Sequence, residues 1–257
     1  MIKVTIPENF RDCTLIIPAV AVGNVAQLTI DLIISNGEFE RIGHITSSCF
    51  IPIIGGNPYV DNSTELCTSC DIYHNFQRKL IAIQIRSPVT KKPSALFNSI
   101  KQFVDDHGID KVIILTSGWA HTRIDTQIQS DPMRYLVSSS FLSKYGQKID
   151  DSGWIALEER PFRCGTGGDV RIPGGGFAHQ LFEFLKQCEI PTAILLRFCS
   201  EGDNILDAVA LLNYTCKWIS MTISDIRVPN SWKFLYGKPA PNNLPNIGMA
   251  NLWKFDK

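Results

Sequence analysis

"SALFNSIKQFVDDHGIDKVIILTSG", residues 94–118, decides the fold. In its first half Leu96, Ile100, Phe103 and Val104 line one side of a helix. Ser94 can cap the start of that helix and Gly108 ends it. The second half, from Lys111, is an uninterrupted apolar run with no polar face, which is the signature of a strand covered on both sides. The same order recurs later. "FAHQLFEFLKQC" (177–188) sets Phe177, Leu181, Phe184, Leu185 and Cys188 on one helical face, and "TAILLRF" (192–198) follows as a strand. Helix and then buried strand, repeated, predicts an α/β fold: a layered domain with a central mainly parallel or mixed β-sheet flanked by helices.

Outward from that core the pattern continues. "TLIIPAV" (14–20) reads as a first buried strand, and "VGNVAQLTIDLIISNG" (22–37) as a helix stopped by Gly37. Val25, Leu28 and Leu32 follow helical spacing, with Ile33 on a flank. Ile30 and Ile34 are apolar too, so this helix has little free surface. "RIGHIT" (41–46) is a short strand. "PIIGGNPYVDNSTE" (52–65) is dense in Gly, Pro and Asn and predicts a long loop. "LCTSCDIY" (66–73) and "KLIAIQIRS" (79–87) predict two strands joined by a turn around Asn75. Residues 120–170 are polar with scattered aromatics and read as excursions on the same domain. The best helix starts near Asp203 and carries Ile205, Ala208, Val209, Leu212, Cys216 and Ile219 at helical period. Ser200 or Asp203 can cap it. The Pro- and Asn-rich end predicts a partly extended tail, giving one domain over 1–237 and a tail over 238–257.

Composition narrows the function classes. Of 257 residues 44% are hydrophobic and 19% charged, an ordinary folded composition and not a disordered one. Lys+Arg and Asp+Glu are both 25, so bulk charge draws the chain neither to nucleic acid nor to an anionic membrane. The eight cysteines are spread irregularly through apolar runs, which points to a reducing compartment and not to a disulfide framework. "TLIIPAVAV" (14–22) has the look of a signal-peptide core, but Glu8 and Asp12 precede it, a basic flank is lacking and Pro18 interrupts it.

Four motifs invite a chemical reading. Gly174–Gly176 opens a helix, as a phosphate cradle does, yet Phe177, Ala178 and His179 stand where a P-loop needs Lys and Ser or Thr. A turn built for close backbone packing explains the glycines better. Cys67 and Cys70 form one C-x-x-C without a second pair, and strand alternation puts them on opposite faces, which is poor for zinc. Ser117 and His121 in "TSGWAH" follow a buried strand, but no nucleophile elbow and no acid partner marks them, Asp125 being undistinguished. Glu201 and Asp203 in "SEGDN" fit a helix cap more simply than a metal or ribose site. No enzyme signature survives, and no cofactor or metal is expected. The two other readings are an α/β enzyme acting on nucleosides or phosphate esters, and a redox or zinc adaptor built on Cys67 and Cys70.

The order of "AVAVGNVAQLTIDLIIS" (19–35), "GNPY" (56–59), "NSTEL" (62–66), "RYL" (134–136), "RIPGGG" (171–176), "LLRFCSEGDN" (195–204) and "PNSWKFLYG" (229–237) resembles the proteasome assembly chaperones. The resemblance runs from about Leu15 to Gly237. It implies a single α/β domain, distantly similar to nucleoside-phosphorylase-like folds but without their activity. It implies a heterodimer with proteasome assembly chaperone 1, binding to proteasome α subunits, prevention of off-pathway α-ring dimers, no cofactor, and a place in cytoplasm and nucleus. Some members end in a hydrophobic-Tyr-any tripeptide that enters a pocket between α subunits. This chain ends Phe255-Asp256-Lys257, with Asp where the tyrosine would sit, which leaves insertion of this tail open. Loop residues that a core does not explain are the expected partner interface: Asn24, Asn57, Tyr59 and Trp119.

Overall fold

Strands that are apolar at every position need cover on both faces, and the central strands have it. The structure, a computed structural model, describes residues 2–4, 10–150, 153–158, 160–161 and 168–234. The elements in chain order are β1 (Ile2–Val4), β2 (Thr14–Pro18), α1 (Val25–Asn36), β3 (Glu40–Ile45), β4 (Ile54–Gly56), β5 (Leu66–Thr68), β6 (Cys70–Asn75) and β7 (Leu80–Ile85). Then come α2 (Ser94–His107), β8 (Lys111–Trp119), α3 (Asp125–Ile128), β9 (Met133–Val137), α4 (Ser139–Asp150), β10 (Arg160–Pro161), β11 (Gly168–Asp169), α5 (Ala178–Gln187), β12 (Thr192–Cys199) and α6 (Ile205–Trp218).

Eight strands form one mixed sheet in the order β1-β3-β6-β7-β2-β8-β12-β9. The centre is parallel, β2 pairing with β7 and β8, and β8 with β12. The flanks are antiparallel. Alternation along each central strand feeds two separate cores. Leu15 and Ile17, Val112 and Ile114, and Ile194 and Leu196 face α2 and α5. Ile16, Ile113, Leu115 and Leu195 face α1 and α6. Helices on both faces of a largely parallel sheet are the α/β arrangement that the helix–strand order predicts.

Three details depart from the sequence expectations. The stretch read as a long loop contains β4, which pairs with β5 in a two-stranded ribbon. "LCTSCDIY" is not one strand: it breaks at Ser69, whose hydroxyl donates to the Ile51 carbonyl at 2.7 Å and accepts the Ile53 N–H at 2.8 Å. Ser94 is the first residue of α2 and makes no capping bond, the cap position being Pro93.

The excursion after β8 is tied back by Arg134, the arginine of "RYL". Its side chain is fully buried on β9. Nε donates to both oxygens of Glu158 at 3.0 Å, and Nη1 and Nη2 satisfy the Met133 carbonyl and the Ser130 hydroxyl at 2.7 Å each. Burial alone would raise the Glu158 carboxyl, but hydrogen bonds from Arg134 and Gln127 outweigh it and hold the group below its ordinary value of 4.5. A depressed carboxyl stabilises the fold above its unfolded value and loses that contribution as pH falls through the folded one. Unfolding measured below about pH 4.5 is therefore expected to show a shallower acid destabilisation in Glu158→Gln than in the parent, and equal slopes would refute the coupling.

Candidate functional site

The crevice past the carboxyl ends of β2, β8 and β12 is where an open α/β sheet holds ligands. Here it is filled by the chain's own groups. The Ser117 hydroxyl is buried and donates to the Val22 carbonyl at 2.5 Å. Thr116 donates to the Gly175 carbonyl at 3.0 Å. His121 is exposed and lies against the Trp119 ring, 5.4 Å between centroids, so the structure does not bring it to Ser117 as a base. Burial, with the charge of Asp207 adding, pushes the Cys199 thiol up to about 11, the reverse of an activated nucleophile.

The glycine turn belongs to the same packing. The Val22 N–H donates to the Gly174 carbonyl at 3.0 Å and the Trp119 N–H to the Pro173 carbonyl at 2.9 Å. A Cβ on Gly174 would lie 2.6 Å from the Trp119 indole, and one on Gly176 only 2.1 Å from the Val20 carbonyl oxygen. Both residues have positive φ, +84° and +57°. The turn is a steric fit between three segments. Asp203 and Glu201 are exposed, and Asp203 accepts the Ile205 N–H at 3.1 Å at the start of α6. The cap position itself is Asn204 and makes no side-chain capping bond, so neither Ser200 nor Asp203 is the cap the sequence suggests, though Asp203 does satisfy one N–H of the first turn. Burial raises Cys67 and Cys70, which disfavours the thiolates zinc requires. Among the described residues no group of three or more His, Cys, Asp or Glu is placed to hold a metal. Cys164 lies outside them.

The polar centre of the molecule is elsewhere. Asp31 sits in the middle of α1, 5% exposed. Its Oδ1 accepts from Tyr59 Oη at 2.7 Å, Gln84 Nε2 at 2.6 Å and Arg86 Nη2 at 2.7 Å, and its Oδ2 from Trp232 Nε1 at 3.4 Å. Arg86 also donates to Tyr59 Oη at 2.9 Å. Burial would lower the Arg86 guanidinium, and Asp31 beside it reverses this and raises it. Burial first, and then the Asp31 charge, lifts the Tyr59 hydroxyl well above its ordinary value, so the phenol stays protonated as a donor. One carboxylate thereby joins the first helix, the end of β7, the 57–60 loop and the segment after Val228.

Two cavities flank this network. One of about 480 Å³ is lined by Asn24, Gln27, Arg86 and Trp232, and one of about 840 Å³ by Asn57, Tyr59, Tyr73 and Arg227. The structure thus brings three of the four expected interface residues to one region. Asn24 is exposed at the start of α1. Asn57 accepts the Tyr59 N–H at 2.9 Å and shapes the loop, while Tyr59 is held by Asp31. Trp119 stands apart, half-buried over Gly174. Asp31 and Arg86 are absent from the sequence expectations. The available signal was slight: Asp31 shares a stripe with Gln27 and Ser35 on a largely apolar helix, a pattern that a solvent-facing side fits as well as a buried partner does.

Solved structures share this fold. Pyrococcus furiosus PbaA, an archaeal homologue of proteasome-assembly chaperone, superposes with a TM-score of 0.64 at 14% identity, covering 87% of this chain and 88% of that one. Pyrococcus furiosus PbaB, an archaeal proteasome activator, gives 0.62 at 18% identity, with 87% and 90% covered. The chain belongs to the PAC2 family, which matches residues 15–224. It is 39% identical to the Bos taurus protein called proteasome assembly chaperone 2, over 92% of this chain and 96% of that protein. It is 38% identical to the Homo sapiens protein of the same name, with 90% and 94% covered.

Proposed function

We propose that this chain is a non-catalytic subunit of a proteasome assembly chaperone. It pairs with proteasome assembly chaperone 1, and the pair binds proteasome α subunits, promotes closure of the α ring and prevents off-pathway ring dimers, in cytoplasm and nucleus. The observation that carries this reading is near full-length similarity, 39% identity over 92% of the chain, to proteins named for proteasome assembly. The geometry agrees with it. The crevice a catalyst would use is packed with the chain's own hydroxyls and carbonyls. A binding function needs buried aromatic and apolar anchors and not perturbed acids and bases.

Residues 1–237 act in this reading as one chaperone domain and 238–257 as its tail. The tripeptide Phe255-Asp256-Lys257 lies outside the described residues. Asn24, Asn57, Tyr59 and Trp119 are proposed as partner-facing positions. Asn24→Ala and Trp119→Ala are expected to weaken partner binding by roughly tenfold, read by titration with the purified partner, and unchanged affinity removes those positions from the interface. The role itself is tested by recovering the tagged chain from cells and identifying its companions by mass spectrometry. A chaperone 1 chain with α subunits and little mature β subunit is the expected result. A folded, solitary monomer would end the proposal.

A further inference from the structure

The strand β4 keeps an open side. β4 pairs with β5 and, among the described residues, with no other strand. Such an edge offers a row of backbone N–H and C=O groups, and proteins normally blunt it with lysine, proline or a covering loop. β4 is short and stands between Pro52 and Pro58, but none of its three residues is lysine or proline. It is Ile54-Gly55-Gly56, exposed throughout, and no atom lies within 4 Å of a Cβ built on either glycine. Both faces of the ribbon are therefore open at the glycines, and no side chain stands over the strand there.

The side chains around this edge are apolar. Ile51, Ile53, Ile54, Val60 and Leu66 make up five of the nine large hydrophobic residues left exposed among the described residues. Leu66 is 59% exposed and Ile54 72%. Clustering of this kind marks an interaction surface, whereas single exposed apolar residues do not. The ribbon is also held in place. Ser69 and Ser87 fix Ile51 and Ile53 at its base, and Tyr59 is fixed at the other end by Asp31. A preformed edge loses little conformational freedom on docking.

Charge selects the occupant. Between Ile51 and Leu66 the only charged residues are Asp61 and Glu65, both exposed. Two copies meeting ribbon to ribbon would bring four carboxylates together. A different chain, apolar along its strand and basic at its rim, has the complementary surface. Long-lived subunit interfaces are more hydrophobic than those of transient partners, so this edge suits a permanent subunit better than a ring that is later released.

We propose that β4 is the docking edge for proteasome assembly chaperone 1, which adds an extended apolar segment beside it and sets a basic side chain against Asp61 and Glu65. The inference rests on the chaperone reading above. The test titrates the purified chaperone 1 subunit into the full-length chain, the double variant Ile54→Asp/Leu66→Asp and the single variant Glu65→Lys, with thermal melting of each as a folding control. Hydrogen exchange of the unsubstituted chain is recorded with and without chaperone 1. The double variant is expected to bind roughly 10- to 100-fold more weakly, Glu65→Lys to bind more weakly with a reduced dependence on salt, and the amides of 54–56 to exchange more slowly in the complex. If the double variant melts at a lower temperature, Glu65→Lys and the exchange data decide. Tight binding with unchanged affinity and unprotected amides overturns the docking edge and leaves the chaperone reading standing. Protection of 54–56 by α subunits in place of chaperone 1, or by self-association of the chain alone, overturns it too. Failure of the unsubstituted chain to bind either partner defeats the chaperone reading, and the docking edge with it.

Discussion

Replacing Asp31 by alanine is expected to destabilise the folded chain by about 3–5 kcal/mol, the range for breaking a buried ion pair from one side. The carboxylate accepts four side-chain donors, and one of them is the guanidinium of Arg86. Alanine leaves that cation beside a hole, without its partner charge. Asp31→Asn keeps the volume and one acceptor oxygen and should fall between alanine and the parent. Removing both charges, Asp31→Leu with Arg86→Met, should cost less than the sum of the single changes, because the penalty of each single variant is mostly the stranded partner. Denaturant unfolding of the parent, Asp31→Leu, Arg86→Met and the double variant measures this cycle, and the same measurement places Asp31→Ala and Asp31→Asn. An Asp31→Ala chain within about 1 kcal/mol of the parent would mean that the network does not hold the structure. The loss should also be local before it is global: Tyr59 and Trp232 lose their shared anchor, so amides of 57–60 and 230–232 should exchange faster even under conditions where the sheet remains intact.

That network shows where sequence reading stops. The strands β2, β7, β8 and β12 are legible because their apolar runs are continuous, a local property of the chain. Their order in the sheet is not local. Nothing near Thr14 announces that β2 lies between β7 and β8, because that choice rests on contacts made far along the chain. β4 was hidden for the same reason. Gly55, Gly56 and Pro58 have loop character, and only pairing with Leu66–Thr68 makes a strand of Ile54–Gly56. The break at Ser69 depends on two hydrogen bonds to a segment 16 to 18 residues away.

The site divides in the same way. That Ser117 stands in no G-x-S-x-G elbow was legible, since that motif is a local pattern, whereas a base and an acid can come from anywhere in the chain. The reason that hydroxyl is occupied was not, because its acceptor is the Val22 carbonyl, 95 residues earlier. Tyr59 was singled out as a loop aromatic that the core does not explain. The structure gives it a buried acceptor, so the partner-facing role proposed for it and its anchoring role are now separable. A Tyr59→Phe chain that keeps partner binding but loses stability would assign it to the anchor alone.

Gly176→Ala is expected to rival the loss of Asp31, at about 2–5 kcal/mol. Two costs add. A non-glycine residue at φ +57° is strained by about 1–2 kcal/mol. The new methyl would also lie 2.1 Å from the Val20 carbonyl oxygen, a backbone atom that no rotamer change can remove. Val20 follows β2 closely, and the N–H of Ala19 donates to Leu115 at 2.8 Å, so moving Val20 aside pulls on the centre of the sheet. Overpacking of that kind costs a further 1–3 kcal/mol, roughly. The neighbouring change separates sterics from strain. Gly175 lacks a positive φ, and its added methyl would meet the Ile172 side chain at 2.4 Å as well as the Ile172 carbonyl at 2.9 Å. Part of that contact is with atoms able to shift, so Gly175→Ala should cost less than Gly176→Ala. Inorganic phosphate supplies the decisive control. If the turn exists to fit Val20, Trp119 and Ile172 together, phosphate raises the melting temperature of the parent no more than that of Gly176→Ala, because the salt's general stabilising effect is common to both. A rise with phosphate that Gly176→Ala abolishes would show instead that the turn binds anions, and the steric account of the three glycines would fall.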